Sequence, residues 1–225
     1  TKEDCLVINL AKGMSDDGAF ITEQIPFPRT ASMKGPTFAI EVLHGLPSSF
    51  TFGGRREDYD RFKKEVLKDT GLYLDYTEDI RSVELMSILK NMYAIAIGLV
   101  SGRFNSPNVD FLIYTKAVGE MRRFLSLFGC STETIFCYCG LGDLGLTSLN
   151  DLSRNRTLGL LMGKGFSIDN SGSSATVIEG SRTVKLMGEL TRERHVEEEF
   201  PLVQALYRMM YEHENLNDYM RAVFN

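Results

Sequence analysis

The chain has 225 residues, of which 43% are hydrophobic and 24% are charged. This composition is typical of a soluble globular protein, and the length suffices for one large domain or two smaller ones. The formal net charge of −5 argues against broad binding to nucleic acids or to anionic membranes. The sequence shows no signal peptide and no uninterrupted apolar run of the roughly 18 residues that a membrane span needs. We therefore expect a cytoplasmic protein without a membrane span.

The cysteines and histidines do not have the spacing of a metal site. None of the four cysteines belongs to a CxxC pair, and the three histidines are scattered along the chain. Sequences with zinc sites typically show close pairs of these residues. We expect reduced thiols and no bound metal.

The first third of the chain alternates between strand and helix patterns. Short apolar runs bounded by glycine or proline predict strands, and apolar residues at helical spacing that stop at Gly71 predict a helix. The predicted elements are a strand at 5–10, a short helix from about 37 to 44, a strand at 48–52, a helix at 56–70 and a strand at 72–76. This alternation is typical of part of an α/β sheet.

From residue 77 onward the patterns are those of successive helices. Pro107 suits the first position of a helix, and Gly129 suits the position just after one. Further short helices are predicted at 158–162, 180–192, 201–212 and 216–224. We therefore predict a mainly α protein with two domains, an α/β part at residues 1–76 and an all-helical part at residues 77–225.

The longest predicted helix, at 78–102, contains a lysine beside an apolar face. The residues that mark this face have the spacing of one buried stripe; they are Val83, Met86, Leu89, Tyr93, Ile97 and Val100. Helical geometry places Lys90 next to Met86, Tyr93 and Ala94. Because desolvation disfavours a charged amine, such a lysine must reach solvent, pair with a carboxylate or lose its proton readily. The pattern alone favours a lysine at the edge of the apolar face, and the alternative is a catalytic acid/base.

A glycine-rich segment at 140–145, GLGDLG, matches the G-x-G-x-x-G fingerprint of dinucleotide-binding folds. That fingerprint requires a strand before it, a helix directly after it and an acidic residue about 20 positions later. Here Leu146 leads into the polar sequence SLNDLSRNR, which we interpret as a loop. We therefore read the segment as a tight turn that lets the backbone and Asp143 approach a ligand closely. The alternative for Asp143 is an ordinary turn aspartate.

The segment Ser153-Arg154-Asn155-Arg156 directly precedes the predicted helix at 158–162. The N-terminus of a helix offers free N–H groups and a partial positive charge, and an arginine there can bind a phosphate through paired hydrogen bonds. The alternative is a solvated loop with a capping serine.

Taken together, six segments resemble the NAD(P)-dependent glycerol-3-phosphate dehydrogenases in their bacterial form. They are LAKG (10–13), GPTFAIE (35–41), LKNMYAIAIG (89–98), GLGDLGLT (140–147), LSRNR (152–156) and VIEGSRT (177–183). They follow the family's order over essentially the whole chain, but the strand–GxGxxG–helix unit that opens the family is missing. The resemblance implies that residues 1–76 are the trailing part of a Rossmann domain, that residues 77–225 form the helical substrate domain, and that the chain is a portion of a longer enzyme.

The resemblance also implies roles for individual residues. Lys90 is the expected catalytic proton acceptor, and Asp143 is the expected substrate-site carboxylate facing it. Besides these two, the expected substrate contacts are Lys12, Gly35, Thr37, Ser153, Arg154 and Asn155. The expected contacts to the cofactor, NAD or NADP, are Lys12, Ala39, Arg154, Val177 and Glu179.

The function that the resemblance implies for the full-length enzyme is the interconversion of dihydroxyacetone phosphate and sn-glycerol 3-phosphate, in carbohydrate metabolism and as a supply for glycerophospholipid synthesis. The expected partners are a small phosphorylated three-carbon substrate and a second copy of the chain in a homodimer. One alternative is a relative of the β-hydroxyacid dehydrogenases, which also carry a catalytic lysine on a helix after a Rossmann domain but act on carboxylates. The other is a non-catalytic helical docking or dimerisation domain, which is how we expect the isolated chain to behave.

Overall fold

The computed structural model of the protein describes residues 4–15, 18–166 and 179–224. The chain forms two compact units. The first comprises Thr1–Ile88 and Phe124–Leu146, and the second comprises Leu89–Arg123 and Thr147–Asn225. The chain passes from one unit to the other inside helices, whereas the predicted domains divide it at the last strand. The division into domains at residues 1–76 and 77–225 remains a prediction.

A four-stranded sheet forms the centre of the first unit. Its strands, in spatial order, are β1 (Val7–Asn9), β2 (Thr30–Lys34), β3 (Ser48–Gly53) and β4 (Leu72–Thr77). β1 pairs with β2 in parallel, β2 with β3 antiparallel, and β3 with β4 in parallel. The register places Ser32 opposite Gly53 and Phe50 opposite Leu74.

Two short helices join these strands. Helix α1 (Ala39–Leu43) follows β2, and helix α2 (Arg56–Glu65) connects the parallel strands β3 and β4. Phe52 and Tyr59 pack edge to face with ring centroids 5.8 Å apart, so α2 covers the sheet through aromatic contacts. Helix α2 ends at Glu65, five residues before the end of the helix predicted at 56–70.

Strand β2 was not predicted from the sequence. Its sequence, TASMK, mixes small, polar and apolar residues and lacks the alternation that predicts a strand. Four of its five residues are buried, because it is an interior strand between β1 and β3. Its two faces are both covered, so no alternating pattern is required of it.

Helix α3 (Ile80–Phe104) is the longest helix of the structure described here. All residues of the predicted apolar stripe are buried, which confirms the helix. The expectation of a single buried face was too narrow, however, because every residue from 82 to 101 is buried. Among the described residues, α3 is the one helix whose length and composition would allow it to cross a membrane, and its most apolar stretch is fully buried within the protein.

The remaining helices follow in chain order, and all of them except α5 were predicted from the sequence. They are α4 (Pro107–Leu127), α5 (Asp143–Leu149), α6 (Arg154–Gly163), α7 (Glu179–Glu193), α8 (Pro201–Tyr211) and α9 (Leu216–Phe224). Gly129 adopts a φ of 67° shortly after α4, which is the left-handed conformation that favours glycine after a helix. The predicted fold class, mainly α with a smaller α/β part at the start, is confirmed.

Candidate active site

Lys90 and Asn91 are adjacent buried polar residues of helix α3, and they are 2% and 4% exposed. Asn91 Nδ2 donates a hydrogen bond to Glu179 Oε2 at 3.1 Å, and Asn155 Nδ2 donates to Asn91 Oδ1 at 3.1 Å. The backbone N–H of Gly180 donates to Asn155 Oδ1, also at 3.1 Å. This chain of hydrogen bonds holds the starts of α6 and α7 against the turn of α3 that carries Lys90.

The first turn of α6 contains two arginines: Arg154 is exposed, and Arg156 forms hydrogen bonds within the protein. Ser153 caps the helix, because its hydroxyl accepts the N–H of Arg156 at 3.3 Å. The Arg156 guanidinium donates to Ser148 O at 2.6 Å and to Ser101 Oγ at 3.2 Å, so it has a structural role. Arg154 is exposed. A helix N-terminus with an exposed guanidinium is suited to bind a phosphate group.

Two glycines allow α3 and α6 to approach closely. A Cβ added at Gly159 would lie 2.1 Å from the backbone oxygen of Ile95, and one at Gly98 would lie 2.4 Å from the backbone oxygen of Arg156. Both distances are far below any van der Waals contact, and the obstructing atoms belong to the backbone. The separation between the helix that carries Lys90 and the helix that begins at Arg154 is therefore set by glycine.

In the first unit, four expected ligand contacts lie in the segments that follow β1 and β2; they are Lys12, Gly35, Thr37 and Ala39. Gly35 follows β2 directly and is buried, and a Cβ there would lie 2.2 Å from Ser49 O. Thr37 is half-buried, and its hydroxyl lies 3.5 Å from Gly35 O. Lys12 and Ala39 are both exposed. This end of the sheet thus combines closely packed backbone with accessible side chains.

Asp143 is the first residue of α5 and is 1% exposed. The preceding segment, Tyr138–Gly142, is a π-helical turn, and the N–H of Cys139 donates to Thr51 Oγ1 at 2.9 Å. The glycine-rich segment therefore runs directly into a helix, and the expectation that a polar loop follows Leu146 is wrong, since α5 extends to Leu149.

The segment before this turn also bears on the dinucleotide fingerprint. Thr132–Phe136 forms a 3-10 helix, whereas the fingerprint requires a strand at this position. This observation supports the interpretation that GLGDLG is not a dinucleotide-binding turn.

The sequence profile described as "NAD-dependent glycerol-3-phosphate dehydrogenase C-terminus" matches residues 79–221 of the chain. The chain belongs to the glycerol-3-phosphate dehydrogenase family. A relative named glycerol-3-phosphate dehydrogenase [NAD(P)+], from Methanothermobacter thermautotrophicus, is 35% identical over 224 residues, which cover 97% of this chain and 67% of the relative. A relative of the same name from Nitratidesulfovibrio vulgaris is 31% identical over 230 residues, covering 99% of this chain and 69% of the relative.

A solved glycerol-3-phosphate dehydrogenase structure agrees with the assignment. The crystal structure of the protein from Coxiella burnetii superposes with a TM-score of 0.86 at 26% sequence identity, covering 98% of this chain and 69% of that one. This chain thus spans about two thirds of the length of these dehydrogenases. The family predicted from the sequence is confirmed.

The roles expected from the family stay predictions for each residue. In the second unit, the structure connects Asn155 and Glu179 through Asn91, a residue that the sequence reading did not select. Val177, an expected cofactor contact, lies outside the described residues. The position of Asn91 directly after Lys90 was a signal that could have drawn attention to it.

Lys34, in the first unit of this dehydrogenase, was also not predicted from the sequence as a site residue. Lys34 is 3% exposed, and its Nζ donates to Asn9 O at 2.7 Å. Burial lowers the pKa of Lys34 to about 8, while the nearby Glu84 carboxylate opposes this shift. Lys12 and Asp143 also act on it electrostatically, so this buried amine lies near two of the expected ligand contacts. Its place directly before the GPTFAIE segment was the only sequence signal.

Proposed function

We propose that the full-length protein interconverts dihydroxyacetone phosphate and sn-glycerol 3-phosphate with NAD or NADP. The observation that carries this proposal is the family match over residues 79–221. That range contains Lys90, Asp143 and the Ser153–Asn155 segment, which are the residues expected to act on the substrate. The same match favours this function over the β-hydroxyacid dehydrogenase alternative.

The residues present suit a pyridine dinucleotide. The exposed guanidinium of Arg154 can pair with a phosphate, and the Glu179 carboxylate, which Asn91 holds at 3.1 Å, can accept a hydrogen bond from a hydroxyl or an amide. When bound, the nicotinamide supplies or takes the hydride at C2 of the substrate. NAD or NADP is therefore the proposed cofactor, with Lys12, Ala39 and Arg154 as further proposed contacts.

The proposed role of Lys90 is proton transfer. As its ammonium, Lys90 donates a proton to the oxygen at C2 while that oxygen becomes an alcohol; in the reverse direction the neutral amine takes the proton. A positioned acid/base of this kind typically contributes about 10² to 10⁴ to the rate. The burial of Lys90 supports this role, because a site that excludes water strengthens its interaction with a developing negative charge. Asp143 is the proposed carboxylate of the substrate site.

The proposed phosphate site is the start of α6. Arg154, the cap Ser153 and Asn155 provide charge and hydrogen-bonding groups there, and the helix adds its partial positive charge. Hydrogen bonds to a charged group are worth roughly 1.5–3 kcal/mol each, so this site favours a phosphorylated three-carbon substrate over its unphosphorylated analogue. Gly35, Thr37 and Lys12 are the proposed substrate contacts of the first unit.

We also propose that the enzyme works in the cytoplasm as a homodimer and has no membrane span. The complete burial of the apolar stretch of α3 supports the absence of a span. The net charge of −5 supports the absence of a nucleic-acid partner.

The experiment that tests this function compares substrates for the full-length protein. Dihydroxyacetone phosphate, dihydroxyacetone and a β-keto acid are each supplied with NADH and with NADPH, and cofactor oxidation is followed at 340 nm. The expected result is turnover of dihydroxyacetone phosphate alone. Equal turnover of dihydroxyacetone, or turnover of the keto acid only, contradicts the proposal.

A further inference from the structure

Lys34 is a buried lysine that the proposed reaction does not use. It is the last residue of β2 and is 3% exposed. Within the part of the chain that the structure describes, its ammonium has one hydrogen-bond acceptor, the Asn9 carbonyl at 2.7 Å. A buried charge is costly unless its hydrogen bonds and charge are compensated. The presence of a buried lysine at this position therefore requires an explanation.

Asn9, whose carbonyl accepts this hydrogen bond, lies at the start of the segment that leads to Lys12. Asn9 is the last residue of β1, and its Oδ1 accepts the N–H of Ala11 at 2.9 Å. Its Nδ2 donates to the Glu84 carboxylate, whose second oxygen accepts the Thr22 hydroxyl at 2.7 Å. Asn9 is thus fixed through its backbone by Lys34 and through its side chain by Glu84.

Four titratable groups act on Lys34 within the first unit. They are Glu84 on α3, Lys12 after β1, Cys139 in the π-helical turn and Asp143 at the start of α5. Burial lowers the pKa of Lys34 to about 8; Glu84, Cys139 and Asp143 raise it, and Lys12 lowers it. The charge of Lys34 therefore changes within the pH range of an ordinary activity assay.

We propose that Lys34 is a positioning residue: its ammonium fixes the Asn9 carbonyl, and so the turn that carries Lys12. This inference rests on the proposed function, which assigns Lys12 to the substrate. A charged donor forms a hydrogen bond about twice as strong as a neutral one. Loss of the Lys34 proton therefore loosens the turn, and catalytic efficiency falls as pH rises through about 8.

The first test is the pH profile of kcat/KM for dihydroxyacetone phosphate in the full-length enzyme, wild type beside Lys34→Met and Lys34→Arg. The wild type is expected to lose efficiency near pH 8. Lys34→Met is expected to be lower by about 10- to 100-fold at pH 7, from the loss of one charged hydrogen bond, and to lack that pH dependence. Lys34→Arg keeps its charge, retains most activity and shifts the decline to higher pH.

The control is Lys64→Met, which removes an exposed lysine of the same unit and is expected to keep the wild-type profile. A decline near pH 8 that persists unchanged in both Lys34 variants overturns the proposal, because the titrating group is then another residue. A wild type with no decline in this range overturns it as well.

The second test needs no turnover and separates this proposal from the proposed function. Hydrogen exchange of the peptide spanning residues 9–13, corrected for the intrinsic pH dependence of exchange, reports the turn held by Asn9. The wild type is expected to lose protection as pH rises through about 8, Lys34→Arg to stay protected, and Lys34→Met to be unprotected throughout, with β4 as an unaffected reference. A wild type that follows this pattern without reducing dihydroxyacetone phosphate refutes the function alone. Identical protection in the wild type and both variants at every pH refutes the role of Lys34.

Discussion

A buried carboxylate in the second unit makes the stability of the protein depend on pH. Glu120 on α4 is 1% exposed; its Oε1 accepts the N–H of Leu202 at 2.7 Å, and its Oε2 accepts the N–H of Val203 at 3.2 Å and the Tyr93 hydroxyl at 2.9 Å. The residue in the N-cap position of α8, Phe200, makes no side-chain capping hydrogen bond. Glu120 therefore caps α8 from another helix.

Burial raises the pKa of Glu120 from 4.5 to about 7, although the two N–H groups and the Tyr93 hydroxyl oppose this shift. The folded protein thus holds the Glu120 proton more tightly than the unfolded chain does. At one pKa unit per 1.36 kcal/mol, the free energy of unfolding contains a contribution of about 3 kcal/mol that is complete below pH 4.5 and is lost as pH rises through about 7.

The perturbation that isolates this contribution is Glu120→Gln, which cannot ionise. Thermal unfolding of the wild type and the variant is followed by circular dichroism at several values from pH 4.5 to 8. For a chain of this size, about 3 kcal/mol corresponds to roughly 6–12 °C in Tm. We expect the Tm of Glu120→Gln minus that of the wild type to increase by about this amount over the range.

The matched control is Glu193→Gln, which changes an exposed glutamate at the end of α7 and is expected to leave the pH profile unchanged. A Tm difference between Glu120→Gln and the wild type that is constant across the range, or that decreases as pH rises, shows that Glu120 ionisation does not control this stability.

The remaining predictions concern the α3–α6 contact and the proposed phosphate site. Gly159→Ala places a Cβ against the Ile95 carbonyl and is expected to destabilise the protein by about 1–3 kcal/mol. The control Gly119→Ala, where nothing lies closer than 3.7 Å to the added Cβ, is expected to stabilise α4 by up to about 1 kcal/mol. Equal Tm changes in the two variants contradict the close packing at Gly159. Arg154→Ala is expected to raise the KM for dihydroxyacetone phosphate by about 10- to 100-fold, with a much smaller change in kcat. The control Arg221→Ala is expected to change neither KM nor kcat. An unchanged KM in Arg154→Ala means that the substrate phosphate binds elsewhere.

The sequence predicted the elements whose determinants are local. The apolar spacing of α3, the proline that begins α4 and the glycine after it are all signals carried by a few neighbouring residues. Strand β2 has no such signal, because its interior position in the sheet removes the need for alternation. Helix α5 was read as a turn and loop because its glycines suggest a loop, while the π-helical turn before it depends on a contact with Thr51 in β3.

The candidate site shows the same limit. Lys90, Arg154 and the other expected site residues were found because they stand in segments that resemble a family. Lys34 was missed because its partner, Asn9, lies 25 positions away on a neighbouring strand. Outside the site, Glu120 was missed for the same reason, because the N–H groups it caps lie more than 80 positions later and no periodicity relates residues at such a distance.

The proposed proton transfer by Lys90 is tested by the turnover of dihydroxyacetone phosphate by full-length Lys90→Ala and Lys90→Met. We expect kcat to fall by about 10² to 10⁴ in both variants, with the substrate KM little changed and the circular dichroism spectrum retained. The control Lys185→Ala, which removes an exposed lysine of α7, is expected to behave as the wild type. Folded Lys90 variants that keep kcat within about tenfold of the wild type exclude proton transfer by Lys90 and make it a buried structural lysine.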